Sequence, residues 1–194
     1  MDDRLPGQIP DSGILDLLDM IDFSDIEDEM KKVILVAMAH IRHAWYIANS
    51  KWSAATKIRE DLESISHSDD PQLQALNIRA EIAQTPPNSP NFERLIDLVF
   101  AKSGLRSTML QITLVQSCEG DRAKNLLNRI EIPSADAQNN LSSARRIAAI
   151  IWFLRATLKT HNQFSSIAES VSLWQRALCP TAAKDAAEMM HKLL

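Results

Sequence analysis

Two histidines three residues apart, His40 and His43, are the side chains whose spacing is most suggestive of chemistry. Residues three apart share one face of a helix, so two imidazoles there could hold a metal ion or exchange protons. A metal site needs at least one more ligand, and the intervening Ile41 and Arg42 do not supply it. A small helical enzyme or metal-binding protein using this pair is one hypothesis. We favour a second hypothesis, in which both residues are partly buried structural histidines.

The two cysteines do not form a ligand pair, because Cys118 and Cys179 lie far apart in the sequence. Cys118 precedes Gly120 at a predicted helix end, where the helix dipole disfavours a thiolate. Cys179 precedes Pro180 near a predicted helix start, which would lower its pKa, although a small packed thiol is the better interpretation. We therefore predict no catalytic residue, no metal and no cofactor, and a protein that is not an enzyme.

Acidic residues are concentrated at the start of the chain. Residues 1–30 contain ten acids and one base, a net charge of −9 against −4 for the whole chain, so residues 31–194 carry +5. Asp16, Asp19 and Asp22 recur every three residues on the predicted solvent face of an amphipathic stretch. The opposite face has the spacing of a helix that lies in a groove. Its apolar members are Ile14, Leu15, Leu18 and Ile21.

Residues 1–23 are therefore predicted to be an acidic amphipathic N-terminal arm or a capping helix. A mobile arm would occupy a partner's groove or block the protein's own groove, whereas a packed cap would only stabilise the domain. Both interpretations stay open. The segment lacks the positive charge and apolar run of a secretory signal, and the longest uncharged apolar runs are less than half a membrane span. We expect a soluble, cytoplasmic protein.

Basic residues on a long apolar segment raise the question of nucleic-acid binding. Arg145, Arg146, Arg155 and Lys159 could form a stripe, since the last two are four residues apart. However, the whole chain is acidic and has no helix-turn-helix or aromatic-basic strand motif. A regulatory nucleic-acid-binding helical protein is therefore only a second alternative. The stripe suits an acidic partner better, including the protein's own arm.

The segments that position these residues have the pattern of helices. Alanine and leucine are abundant, glycine and tyrosine are scarce, and no run alternates as a strand does. Ser24 with Glu27 is a predicted capping box for a helix through Asn49, and Ser134 caps a second long helix. Asp70-Pro71 and Ser89-Pro90 each predict a helix start, and Gly104 predicts a left-handed residue that ends a helix. Both helices are apolar on nearly every face, so we predict that they are central and mostly buried. The expected fold is all-α, with about nine to ten helices in a single domain over residues 24–194.

The helices break at similar polar turns, centred near residues 50, 88, 119 and 162. Their spacings of about 38, 31 and 43 residues are typical of helical-hairpin solenoids. Around the first turn Tyr46, Asn49, Ser50, Trp52 and Ala55 follow the order aromatic, turn, aromatic and packing alanine. In these residues the chain resembles the tetratricopeptide-repeat family, as a degenerate array. The resemblance implies stacked antiparallel hairpins in a right-handed array, and an irregular helical bundle is the alternative.

These observations predict a non-catalytic protein–protein interaction module, such as an adaptor, chaperone or scaffold. A partner's helix or peptide would lie in a groove between stacked helices, with basic side chains orienting its acids. The candidate partner-binding residues come from first-helix positions of the hairpins: Arg42, Tyr46, Arg79, Arg155 and Lys159. We expect neither membrane insertion nor nucleic-acid binding, and the oligomeric state stays open.

Overall fold

The computed structural model describes residues 13–63 and 71–192, and every regular element in them is an α-helix. In chain order these are α1 (Gly13–Asp19), α2 (Asp28–Ala48), α3 (Trp52–Glu63), α4 (Pro71–Gln84), α5 (Pro90–Phe100), α6 (Leu105–Gln116), α7 (Gly120–Asn128), α8 (Ala135–Asn140), α9 (Ser142–Thr157), α10 (Gln163–Arg176) and α11 (Pro180–His191). The all-α prediction is confirmed for the described residues, with eleven helices where nine to ten were predicted. None of these described helices is both long enough and apolar enough to cross a membrane.

Proline and small polar residues begin several helices, as the sequence predicted. Pro71, Pro90 and Pro180 are the first residues of α4, α5 and α11, where the missing N–H costs no hydrogen bond. Ser89 caps α5, because its Oγ accepts a hydrogen bond of 3.3 Å from an N–H of the first turn. Asp70, the predicted cap of α4, lies outside the described residues.

The start of α2 differs from the prediction. Ser24 does not cap the helix, because its Oγ and its N–H both donate to Asp22 Oδ1, at 2.7 and 2.9 Å. These two bonds lower the pKa of Asp22. α2 begins at Asp28 with Glu27 as its N-cap residue and without a side-chain capping bond. The predicted capping box is wrong, since Asp22 offers Ser24 a nearer acceptor in the preceding turn.

The second long helix is divided at Leu141, whose φ of −123° and ψ of 119° are extended. α8 ends at Asn140 and α9 begins at Ser142. The Nδ2 of Asn140 donates back to the carbonyl of Asp136 at 3.1 Å. Asparagine side chains compete with the backbone for hydrogen bonds, so a helix ends readily beside them. The prediction of one continuous helix is therefore wrong in this segment.

The chain divides after Gln84 into two compact units. In the first unit α2 and α3 form the predicted hairpin, and α4 packs against both helices. The core of this unit is aliphatic and is shared among the three helices: Val36, Ala39, Ile58, Leu62, Leu73 and Leu76. The predicted domain over residues 24–194 includes both units, and its behaviour as a single domain stays a prediction.

In the second unit α9 is the central helix, because it packs against α6, α7, α8 and α10, while α11 packs on α10. Small side chains let these helices approach closely, and the buried alanines are Ala148, Ala149, Ala177, Ala182, Ala183 and Ala186. Phe153 and Trp174 are buried among them. The Oγ of Ser170 donates to the carbonyl of Ala149 at 2.9 Å and so joins α10 to α9 inside the core.

Three of the four predicted hairpins are packed helix pairs within a unit, namely α2 with α3, α6 with α7, and α9 with α10. The remaining predicted hairpin, whose turn is centred near residue 88, has a sequence that spans the division between the units. Local contact between consecutive helices follows from the short polar turns that join them. A regular tetratricopeptide-like stack of these pairs stays a prediction.

Candidate functional site

His43 lies on the buried face of α2 in the first unit and is 1% exposed. Burial, followed by the charges of Arg79, His40 and Arg59, lowers the pKa of His43 from 6.5 to about 4. Its Nδ1 atom has no hydrogen-bond partner among the described residues. The imidazole is therefore neutral near neutral pH, and its cationic neighbours oppose the uptake of a proton.

The surroundings of His43 are unfavourable for a metal ion. Arg59 and Arg79 act on it from α3 and α4, and burial lowers the pKa of Arg79 as well. Within residues 13–63 and 71–192, no group of three or more His, Cys, Asp or Glu side chains is placed to hold a metal. Acid–base chemistry by His40 and His43 stays a hypothesis. The charged groups that shift the pKa of His43 do not include a carboxylate, which would be needed to stabilise a protonated imidazole.

Three of the five predicted partner-binding residues lie in the first unit. Arg42 on α2 forms an ion pair with Asp19 at the end of α1. Tyr46 contacts Trp45 edge to face, with ring centres 5.5 Å apart. Arg79 lies on α4, and its charge acts on His43 of α2. Arg42 and Tyr46 therefore have contacts within the unit, and the use of any of the three side chains by a partner stays a prediction.

Arg155 and Lys159 belong to the second unit, at the end of α9. The guanidinium of Arg155 lies 4.9 Å from the ring centre of Trp152, and burial lowers its pKa. Lys159 follows the helix with a φ of 56° and an exposed side chain. The predicted groove thus takes residues from both units, and a single site built from all five stays a prediction.

The described part of the interaction arm is α1 with the turn after it. On the predicted apolar face Leu18 is buried, Ile14 and Leu15 are half-buried, and Ile21 is 38% exposed. Within α1 Leu17 is 66% exposed, so the helix presents apolar surface on one side while it buries Leu18 on the other. The first twelve residues of the arm lie outside the described part of the chain. Both roles of the arm, cap and movable segment, stay predictions.

The long helix α2 presents an apolar surface that the sequence reasoning missed. We call it the α2 stripe, and its members follow one another at spacings of three and four residues: Met30, Val33, Ala37, Ile41, Ala44 and Ala48. Met30 and Val33 are 57% and 65% exposed, and the others are half-buried or exposed. The prediction that α2 is mostly buried is therefore wrong for this face. The three-four spacing is itself typical of a helix-packing seam and could have identified the stripe from sequence.

Both cysteines are packed inside the second unit, Cys118 at 8% and Cys179 at 0% exposure. Burial raises the pKa of the Cys118 thiol, and the nearby charge of Arg122 only partly opposes this shift. Cys179 lies in the alanine-rich core, with its Sγ 3.5 Å from the carbonyl of Ala177. A raised pKa and burial both disfavour a nucleophilic thiolate.

Comparison with known proteins does not assign the chain to a family. The chain matches no protein-family model, no curated protein and no solved structure. The resemblance to the tetratricopeptide-repeat family therefore depends on the hairpin residues alone.

Proposed function

We propose that this chain is a non-catalytic protein-binding module in which an amphipathic helix of a partner packs along the α2 stripe. The observation that supports this proposal is the exposure of large apolar side chains at the spacing of a packing seam. The free energy falls when a second helix covers the water-exposed side chains of methionine and valine. An adaptor, chaperone or scaffold would hold its partner by such a surface.

The dimensions of the α2 stripe suit a partner helix of similar length. From Met30 to Ala48 it extends about 27 Å, at the rise of 1.5 Å per residue of an α-helix. The alanines in its second half permit close approach of the two backbones, and the larger side chains of its first half insert between those of the partner. Full burial of a side chain such as Val33 contributes roughly 1.5–3 kcal/mol. The flexible side chain of Met30 adapts to irregular partner surfaces.

The charge beside the stripe indicates the chemistry of the partner. Glu27, Asp28 and Glu29 are exposed at the start of α2. A partner helix with lysine or arginine at the corresponding end gains electrostatic attraction and a preferred direction. The partner that fits is therefore a helix with an apolar seam and a basic end. Arg42, Tyr46, Arg79, Arg155 and Lys159 are candidates for further contacts outside the stripe.

A synthetic helix of defined chemistry tests the proposal. A fluorescent peptide of about eighteen residues carries leucine at the seam positions and lysine at the others, long enough to cover the stripe. Fluorescence anisotropy measures its binding to the full chain, beside a peptide with glutamate in place of lysine and a scrambled lysine peptide. We expect the seam-patterned lysine peptide to bind most tightly.

Two variants separate the stripe from simple charge attraction. Val33→Glu places a carboxylate in the stripe and should weaken binding about tenfold or more, because that charge is desolvated on binding. Lys32→Glu places the same side chain at the neighbouring exposed position outside the stripe and should not weaken binding of the lysine peptide. Equal losses in the two variants, or equal binding of the scrambled peptide, would contradict the proposal.

A further inference from the structure

The turn between α10 and α11 exposes a leucine in an unusual conformation. Leu178 has a φ of 58° and is 86% exposed, more than any other large apolar side chain in the described part of the chain. Its N–H donates to the carbonyl of Gln175 at 3.0 Å. The N–H of Cys179 donates to the carbonyl of Trp174, also at 3.0 Å. These two bonds form a Schellman motif, in which the residue with positive φ is usually glycine.

Neither the conformation nor the exposure of Leu178 benefits the fold. A left-handed backbone is strained for leucine and accessible to glycine. The same motif follows α2 at Ser50 and α9 at Lys159, whose φ values are 55° and 56°, and there the side chain is polar. At Leu178 an apolar side chain adds the cost of contact with water. Strained residues are concentrated at functional sites, where a ligand or partner uses the side chain.

The neighbours of Leu178 hold it in this exposed position. Cys179 and Trp174 are buried and belong to the same core cluster. Ala177, on the other side, is buried as well, and Pro180 begins α11. A side chain on a fixed turn loses little conformational entropy when a partner covers it. Leu178 is therefore an apolar anchor that is in place before a partner binds.

A second exposed leucine lies at the same end of the second unit. Leu141, in the extended junction between α8 and α9, is 48% exposed. The Oγ of Ser142 donates to the carbonyl of Ala177 at 3.4 Å. Because Ser142 follows Leu141 and Ala177 precedes Leu178, this bond joins the two junctions. The two leucines therefore belong to one region of the surface.

Two arginines lie beside these leucines. The Nη1 of Arg145 donates to the carbonyl of Arg176 at 2.6 Å, and the Nη2 of Arg176 donates to Asn139 Oδ1 at 3.1 Å. Both acceptors are neutral, and neither arginine forms an ion pair with any residue that the structure describes. We call Leu141, Arg145, Arg176 and Leu178 the leucine–arginine surface.

The sequence around this surface supplies little negative charge. Residues 137–184 contain six lysines and arginines and a single acid, Glu169. Asp136, just before this stretch, has its Oδ1 bonded to the Nδ2 of Asn140 at 3.1 Å. A guanidinium has five N–H donors, so Arg145 and Arg176 keep donors beyond the bonds that hold them. Arginine binds a carboxylate through two parallel hydrogen bonds.

We propose that the leucine–arginine surface binds an acidic peptide that carries a large apolar side chain. The carboxylates of the peptide pair with Arg145 and Arg176, and its apolar side chain packs on Leu178 and Leu141. The apolar contact supplies free energy, while the charges select the partner and accelerate its association. This peptide is opposite in charge to the helix proposed for the α2 stripe, so the two surfaces hold different segments. Neither proposal depends on the other.

A short fluorescent peptide with two central leucines flanked by glutamates tests the proposal. Fluorescence anisotropy measures its binding to the full chain at constant ionic strength. One control peptide has serine in place of leucine, and another has glutamine in place of glutamate. We expect saturable binding of the first peptide and binding about fivefold weaker or less for each control. Equal binding of the serine peptide would show charge attraction alone and would overturn the proposal, as would the absence of saturable binding.

Leu178→Gly separates a role in binding from a role in folding. The substitution relieves the strained backbone, so it should raise the urea concentration at the midpoint of unfolding. It also removes the anchor and should weaken binding of the leucine peptide about fivefold or more. Ser50→Gly makes the same backbone change after α2 and should leave peptide binding unchanged. Unchanged binding by Leu178→Gly, or a lower midpoint of unfolding, would show that Leu178 has no such role.

Charge variants and self-association complete the test. Arg176→Gln should weaken binding of the glutamate peptide about threefold, because a charge-assisted hydrogen bond is lost. Arg94→Gln, at an exposed arginine of α5, should have no effect. Equal losses in these two variants contradict a specific surface. Sedimentation velocity detects the other occupant, a second copy of the chain. Self-association that Leu178→Gly abolishes, without binding of the peptide, assigns the surface to contact between copies and overturns the proposal.

Discussion

Replacing His43 by leucine should remove much of the acid sensitivity of the first unit. The pKa of His43 falls from 6.5 to about 4 on folding, a difference equivalent to roughly 3 kcal/mol when fully expressed. As the pH falls below 6.5, the unfolded chain takes up a proton at this residue while the folded chain does not. The unfolded state therefore gains stability until the pH nears 4, and above 6.5 the residue contributes no pH dependence. Between about pH 7 and pH 5 the expected cost is roughly 2 kcal/mol.

Urea unfolding at those two pH values, followed by circular dichroism, measures this effect. The wild-type chain should lose about 2 kcal/mol more stability than His43→Leu between pH 7 and pH 5. His191→Gln, which changes an exposed histidine at the end of α11, should behave like wild type. The imidazole resonances of His43 report the same protonation directly. A titration of His43 at or above 6.5, or the same acid loss in His43→Leu as in wild type, would refute the argument from burial and positive neighbours.

Two further predictions concern the second unit. Ser170→Ala should destabilise the second unit by about 1–2 kcal/mol, because the hydroxyl donates to a buried carbonyl on α9. Ser166→Ala should be neutral or slightly stabilising in the same urea assay, since the buried Oγ of Ser166 has no partner among the described residues. Cys118 and Cys179 should react with a disulfide reagent slowly in the folded chain and rapidly in denaturant, because both thiols are buried. Rapid reaction of either thiol in the folded chain would contradict this account of the core.

The start or end of a helix could be predicted from sequence wherever a single residue determines it. Pro90 after Ser89 predicted the start of α5, and the observed cap uses the Ser89 hydroxyl. Pro180 predicted the start of α11, and Gly104 predicted the left-handed residue between α5 and α6. These residues act through their own backbone preferences, so distant parts of the chain do not change the outcome.

The predicted helix boundaries are wrong where neighbouring polar groups compete for the same hydrogen-bond partners. The N–H of Ser24 had two carboxylates as possible acceptors, those of Asp22 and Glu27, and it donates to Asp22. Asn140 donates to its own helix, after which Leu141 adopts an extended conformation that divides the predicted long helix. Differences between such alternatives amount to about 1 kcal/mol, which local pattern cannot resolve.

The exposed face of α2 was missed for a different reason. Its sequence is apolar on nearly all sides, and composition alone does not say which side the rest of the unit covers. In the first unit α3 and α4 cover the side of Val36 and Ala39, while Met30 and Val33 on another side stay exposed. The number and placement of neighbouring helices decide this, and they are long-range properties of the chain.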